Sequence, residues 1–304
     1  MSHSAPPLDL VRRSPGRSPW AVARDYITLT KPSINRMCLI TAAGGIALAP
    51  GSIGVWGVVW ALLGTALAVG SANALNMWWE RQPDRAMKRT QERPLAAGRI
   101  SDGGALAFGV ALGVLAAVIL AAGTNAATTL VGLFALTSYV LVYTPLKYRS
   151  PLALVVGAIP GAAPPLMGYT AVTGAIDPVG LALFATLFAW QMPHFLAIAV
   201  FRRHDYAAAG IKTVTVVRGN RVAKVQALLW SVVLLGASVL LTPLGVTDAL
   251  YAAVAVVLGL AMMAYAVLGF RATNDARWAY RYFALSLVYL PVLILALVLD
   301  LLAT

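Results

Sequence analysis

The chain has 304 residues, of which 60% are hydrophobic and only 11% charged, against roughly 25% charge in an average soluble domain. So few charges cannot cover so much apolar surface in water, which excludes an ordinary soluble fold and reads as an integral membrane protein solvated by lipid. The net charge is +12, from 23 Lys and Arg against 11 Asp and Glu; in a membrane chain that excess reports topology first, and nucleic acid is not an expected partner. A single cysteine, Cys38, excludes a disulfide framework or a thiolate metal cluster. Only His194 and His204 share a stretch, with His3 far away, which argues against a multi-histidine metal site.

Residues 1 to about 20 are rich in Ser, Pro and Arg without an apolar run, and read as a disordered tail preceding one membrane domain over 21–304. A transit peptide is the alternative for that tail. Charges then divide the chain into blocks. Residues 37–79 carry none and break near Ala49-Pro50-Gly51-Ser52; residues 103–146 carry none and break at Gly123-Thr124-Asn125. Residues 150–201 hold only Asp177, in a turn signal ending at Pro178, and residues 225–270 hold only Asp248, near Pro243 and Gly245. A helix needs about 20 residues to cross the hydrocarbon, so each block is a pair of spans. Residues 282–304 add one more, which makes nine predicted transmembrane helices in an all-α fold. All 23 Lys and Arg fall in the N-terminal segment or after spans two, four, six and eight. The positive-inside rule makes that face cytoplasmic, with the N-terminus on it and the C-terminus opposite, in a bacterial plasma membrane.

The connection after span two is denser than topology requires. It runs Asn76-Met77-Trp78-Trp79-Glu80-Arg81-Gln82-Pro83-Asp84-Arg85-Ala86-Met87-Lys88-Arg89-Thr90-Gln91-Glu92-Arg93-Pro94-Leu95. Asn76, Glu80 and Asp84 recur every four residues, near one face of a helix, each step rising about 6 Å. Oxygen donors at that spacing suit Mg²⁺ shared with substrate phosphates. Arg85, Lys88, Arg89 and Arg93 supply charge-assisted donors to the same phosphates. An interfacial loop laced with helix salt bridges is the plainer alternative, and Pro83 is expected to kink or restart the helix before Asp84.

After span four, Tyr143-Thr144-Pro145-Leu146-Lys147-Tyr148-Arg149 carries two cations, which either close over a diphosphate or anchor the span at the headgroups. The next span, Gly157 to Tyr169, combines small residues with three mid-membrane prolines, a pattern that places it beside a cavity. The end of span six holds Gln191-Met192-Pro193-His194-Phe195, followed by Arg202-Arg203-His204-Asp205-Tyr206 and Gly210-Ile211-Lys212. Coming four spans after the first dense loop, it suggests a duplicated unit with both ends lining one cavity. His194 lies within the membrane, where an ionisable group either faces a functional interior or hydrogen-bonds between helices.

These residues resemble a known family. Asn76, Glu80 and Asp84, followed by Arg89-Thr90 and Arg93-Pro94-Leu95, resemble the first aspartate-rich motif of the intramembrane prenyltransferases of the UbiA superfamily. Leu29-Thr30-Lys31-Pro32, the Gly157–Tyr169 run, the Gln191–Phe195 block and Asp205-Tyr206 with Ala209-Gly210 are similar to its haem-farnesylating branch. The resemblance covers about residues 25–220 and implies nine helices around a central cavity. It implies Mg²⁺-dependent transfer of farnesyl from farnesyl diphosphate to a vinyl group of haem B, giving haem O. By position, Asn76, Glu80 and Asp84 would hold Mg²⁺ and the diphosphate beside Arg85, Lys88, Arg89 and Arg93, and Lys147, Arg149 and Lys212 would complete a cationic lid. His194 would contact the haem, as an iron ligand or near a propionate, Arg202 or Arg203 would pair with a propionate, and Asp205 and Tyr206 are further substrate-binding candidates. The family's motif has Asp where this chain has Glu80. Quinone-type relatives carry a second aspartate-rich motif where this chain has Gln191 to Phe195, which favours haem as acceptor. The family also implies a partner that delivers or receives haem during terminal-oxidase assembly. A quinone-pathway prenyltransferase, a nine-span transporter and a haem-binding assembly factor without turnover are the competing readings. A transporter would gather its charges near the midplane rather than at one face.

Overall fold

In a computed structural model, residues 18–87 and 90–303 are described, and among them the chain is helical with no strand. The calls that fall on residues 1–17, and on Lys88 and Arg89, lie outside the described residues. A short helix, α1 (Pro19–Leu29), precedes α2 (Pro32–Leu48), α3 (Val55–Ala86) and α4 (Asp102–Gly123). Next, α5 (Ala126–Thr137) passes through a π-helical turn (Ser138–Tyr143) into the single turn of α6 (Thr144–Leu146). Two central helices follow, α7 (Ala153–Thr173) and α8 (Pro178–Phe201), then the short α9 (Arg203–Ala208) and α10 (Val214–Val217). The chain ends with α11 (Gly219–Val239), α12 (Ala249–Leu268) and α13 (Asp275–Ala303). Among the described residues eight helical segments are long and apolar enough to cross a membrane, and α2, at 17 residues, is shorter and packs against α7 and α3.

The breaks fall where the turn signals lie. Asn125 caps α5 through the Thr128 amide (3.0 Å), and Asp177 caps α8 through the Gly180 amide (3.0 Å). Asp300, near the end of α13, accepts from the amides of Asp248 (2.7 Å) and Tyr251 (3.3 Å), closing the start of α12 from a neighbouring helix. These bonds satisfy donors that a helix N-terminus leaves open, which matters most where no water is present. Pro83 does not restart the helix. The helix α3 runs through it to Ala86, because a proline this close to the end forfeits one hydrogen bond and the helix stops three residues later.

At the centre, α7 is the most buried spanning helix and α8 follows it. Small residues set how closely α7 meets α2. A Cβ on Gly168 would fall on the Ala42 carbonyl oxygen, and one on Gly45 on the Pro165 carbonyl oxygen. The backbones therefore touch, as small-residue crossings in lipid allow. The second half is held differently. Ser231 and Ser238 on α11 lie seven residues apart, as do Tyr282 and Tyr289 on α13, and they pair at 2.6 and 2.8 Å. All four are fully buried, so each phenol finds its partner inside the bundle.

Gly168→Ala is expected to cost about 1–3 kcal/mol, because the atom it meets is backbone and cannot swing away. Gly44→Ala, with open space around its Cβ position, should stay within about 0.5 kcal/mol of the parent. Thermal unfolding of the detergent-solubilised protein measures both, and equal midpoints for the two variants would contradict the backbone contact.

Candidate active site

A cavity of about 450 Å³ opens among α2, α3, the α5–α6 segment, α7 and the end of α8, within the usual range of small-molecule sites. Its inner wall is apolar, with Ala68, Val69, Leu136, Met167 and Ile198 among its residues, while its charged residues gather toward the basic ends of the helices. Two of the three prolines of α7 belong to it: Gly157, Pro160 and Pro164 form part of the wall, and Pro165 lies off it.

Asn76, Glu80 and Asp84 stand one turn apart on α3, all buried and all facing the cavity. The first two are linked, Asn76 Nδ2 donating to Glu80 Oε1 (2.8 Å). Each rung also meets a cation from another part of the chain. Lys31 Nζ donates to Asn76 Oδ1 (3.1 Å), Lys147 Nζ pairs with Glu80 Oε1, and Arg93 Nη1 donates to Asp84 Oδ2 (2.7 Å). Asp84 Oδ1 is buried and has no hydrogen-bond partner among the described residues. With Lys212 also on the wall, four cationic side chains face two carboxylates, an excess suited to an anion.

The chain pays attention to placing those cations through local geometry. Lys31 joins α1 to α2 in the left-handed region (φ 48°, ψ 71°), which costs a residue with a side chain about 1–2 kcal/mol. Asn73, one turn before Asn76, donates to the Thr30 carbonyl (3.2 Å) and pins that joint to α3. Arg93 is delivered by a loop that Thr90 ties to the Asp84 carbonyl (2.9 Å) and that Arg99 ties to Asp25 of α1 (3.2 Å). Lys147 follows the π-helical turn. Burial and the nearby Lys31 ammonium push it down to about 7, while the Glu80 carboxylate in contact with it pulls the other way.

The remaining expected site residues divide. Tyr206 and Lys212 reach the cavity wall. Arg85 is exposed, its Nε donating to the Ala96 carbonyl (3.2 Å), and Arg149 is exposed. Arg202 and Asp205 pair with each other at 3.2 Å on the surface. None of these four is on the wall. His194 is off it as well, facing α13: its ring lies 4.9 Å from that of Trp190 and 4.6 Å from that of Phe283, and its Nδ1 meets Ser286 Oγ at 2.8 Å. Its neighbour Phe195 lines the cavity instead. Sequence reasoning assigned no role to Lys31, Tyr139 or Tyr143, all of which line it. The four-residue spacing of Tyr139, Tyr143 and Lys147 was a legible signal. The left-handed turn at Lys31 was not.

The donor set tests the expected metal. Among the described residues no three of His, Cys, Asp and Glu come together to cage an ion. One amide and two carboxylates on one helix face, with a buried orphan oxygen at Asp84, fit a hard cation that keeps most of its shell for water and phosphate.

The family model of UbiA prenyltransferases matches residues 38–288. The chain belongs to the UbiA prenyltransferase family. Among its relatives, a protein of Anaeromyxobacter dehalogenans named protoheme IX farnesyltransferase is 49% identical over 93% of this chain and 95% of its own length. One of Myxococcus xanthus with the same name is 48% identical, over 92% and 95%. Solved structures share the fold. A structure described for digeranylgeranylglyceryl phosphate synthase superposes with a TM-score of 0.80 at 15% identity, covering 92% of this chain and 98% of that one. A UbiA homolog from Archaeoglobus fulgidus, bound to GPP and Mg²⁺, gives 0.64 at 19% identity, covering 90% and 99%. This UbiA family member is thus an integral, multi-pass membrane protein.

Arg93→Met should destabilise the protein by about 3 kcal/mol, because it leaves the Asp84 carboxylate buried without its guanidinium. Adding Asp84→Asn to the same chain should recover most of that loss. Thermal unfolding of the single and double variants decides it, and no recovery would mean that Arg93 stabilises the loop by other contacts.

Proposed function

We propose that this chain transfers the farnesyl group of farnesyl diphosphate to a vinyl group of haem B, in a Mg²⁺-dependent reaction that yields haem O. The observation that carries the reading is the buried Asn76–Glu80–Asp84 series, met by Lys31, Lys147 and Arg93 at the mouth of an apolar well. The names of the relatives supply the acceptor and the prenyl donor.

Asn76, Glu80 and Asp84 would hold Mg²⁺, which supplies positive charge to the departing diphosphate. Lys31, Arg93, Lys147 and Lys212 bind the same diphosphate, and their attraction grows as negative charge builds on the leaving oxygen, so they favour the transition state over the ground state. The farnesyl chain lies against Leu136, Met167 and Ile198. The rings of Tyr139 and Tyr143, 5.0 Å apart on the wall, present π faces to the allylic cation left behind. The apolar walls keep water from that cation until the vinyl carbon attacks. Water then adds to the resulting cation and gives up a proton to the released diphosphate, which completes the hydroxyethylfarnesyl product.

On the acceptor side, His194 meets haem from the α8–α13 face, next to the cavity residue Phe195. Ser286 Oγ already donates its one proton to the Phe283 carbonyl (2.6 Å). Nδ1 of His194 must therefore donate to Ser286, which leaves Nε2 with a free lone pair suited to iron. The basic face is cytoplasmic, the N-terminus lies on it and the C-terminus opposite, and the catalytic unit is a single membrane domain over 21–304. A haem-transfer partner would meet the molecule on the same face.

Purified protein incubated with haem B, farnesyl diphosphate and Mg²⁺ should give farnesylated haem by mass analysis. Product from 4-hydroxybenzoate in its place would instead establish a quinone-pathway acceptor. Glu80→Gln and Asp84→Asn should each lower turnover at least about 100-fold without unfolding the protein; wild-type rates would move the metal elsewhere. His194→Ala should weaken haem binding, followed through the Soret band, while leaving binding of the prenyl diphosphate intact, and unchanged haem affinity removes histidine from the acceptor site.

A further inference from the structure

The end of span four leaves the α-helical register. From Ser138 to Tyr143 the backbone forms a π-helical turn. In an α-helix, positions four apart advance about 40° around the axis, so a four-residue series drifts off its face. A turn closed by i→i+5 bonds takes up an extra residue and cancels that drift, which is one reason such turns accompany functional sites. Here Leu136, Tyr139, Tyr143 and Lys147 all reach the same cavity.

Thr144 sits where this turn meets the ligand series, with no exposure. Its Oγ1 donates to the Tyr139 carbonyl five residues back (2.8 Å). A hydroxyl has one proton. Toward Asn76, at 3.2 Å, Thr144 can therefore only accept. The side-chain amide must present Nδ2 to Thr144, and its other Nδ2 proton goes to Glu80 Oε1. Both amide protons are then committed, so Oδ1 is turned to the remaining side, where Lys31 meets it.

The two acceptors are not equivalent. Glu80 is a charged side chain that also pairs with Lys147, and its oxygen shifts with whatever cation it meets. Thr144 Oγ1 is fixed to backbone. We propose that Thr144 is the positioning residue of the site: through the π-helical turn it fixes the orientation of the Asn76 amide so that Oδ1, and not the nitrogen, faces the cation. The proposal rests on the reading of Asn76, Glu80 and Asp84 as metal ligands.

The test is Mn²⁺ titrated into the full-length protein in detergent, free ion read by electron paramagnetic resonance, with and without inorganic pyrophosphate. Thr144→Val should weaken Mn²⁺ binding about tenfold, the scale of a lost outer-shell partner. Thr144→Ser, which keeps the hydroxyl, should stay within about twofold of the parent. A carboxylate has two equivalent oxygens and no wrong orientation. In an Asn76→Asp background, Thr144→Val should therefore cost no more than about twofold. Equal losses in both backgrounds would make Thr144 a structural residue and overturn the proposal, as would no loss in the Asn76 background or a tenfold loss on Thr144→Ser. Thr144→Ala carries the same expectations if the valine chain does not fold. Asn76→Ala separates the two levels: Mn²⁺ affinity equal to that of the parent removes the metal-ligand reading itself, whereas a loss there beside an unaffected Thr144→Val removes only the role of Thr144.

Discussion

Two carboxylates and an amide, nearly sealed from solvent on the inner face of α3, impose a requirement on the rest of the molecule. A carboxylate taken out of water costs several kcal/mol unless an opposite charge and hydrogen bonds replace the lost hydration. The neighbours of Glu80 and Asp84 along α3 cannot supply that charge, because Arg81 turns away to Asp102 (2.6 Å) and Arg85 lies exposed. The cations must come from elsewhere in the chain, and the unusual local geometry of the basic end follows from bringing them. Lys31 arrives by way of a left-handed joint, Lys147 by way of a π-helical turn, and Arg93 on a loop anchored at Thr90 and Arg99.

The same requirement explains an asymmetry between the halves. Around the cavity the polar contacts use charged groups, Lys31 with Asn76, Lys147 with Glu80 and Arg93 with Asp84, whose partners a bound ion competes for. In the second half several buried polar contacts are neutral, Ser231 with Tyr282, Ser238 with Tyr289 and the Trp278 indole with the Tyr265 carbonyl (2.9 Å), and they stand beside an ion pair of Lys224 with Asp275 and the capping carboxylate of Asp300. Neutral pairs of this kind gain nothing by rearranging. They make α11, α12 and α13 a fixed support, while the adaptable electrostatics stay at the cavity.

Much of this was legible in the sequence because membrane insertion writes simple rules. Uncharged blocks gave the spans, Asn125 and Asp177 marked their starts, and Asn76, Glu80 and Asp84 announced themselves by period. What could not be read were facts of angle. Nothing in Thr30-Lys31-Pro32 reveals a left-handed lysine, since residues with side chains seldom adopt it. Nothing in Ser138 to Tyr143 distinguishes a π-helical turn from an α-helical one, because the difference lies in the neighbours that Thr144 and Lys147 meet. The cations expected at the site do not all line the cavity. Arg85, Arg149 and Arg202 share a face with the cavity but stand outside its wall, as expected if part of the positive charge serves orientation in the membrane alone.

The choice of glutamate at position 80 follows from the same geometry. Its carboxylate has to meet two groups at once, the Asn76 amide one turn earlier on its own helix and the Lys147 ammonium from span four. Positions four apart on a helix are neighbours only if the side chains are long enough to lean together. Asn is short, so the reach must come from its partner, and the methylene that distinguishes Glu from Asp provides it. Linking Glu80 to Asn76 then transmits the orientation set at Thr144 to the second rung. Asp84, a turn further on and free of that link, keeps Oδ1 without a partner among the described residues. Arg93 holds one oxygen of the third rung and leaves the other for a ligand to complete.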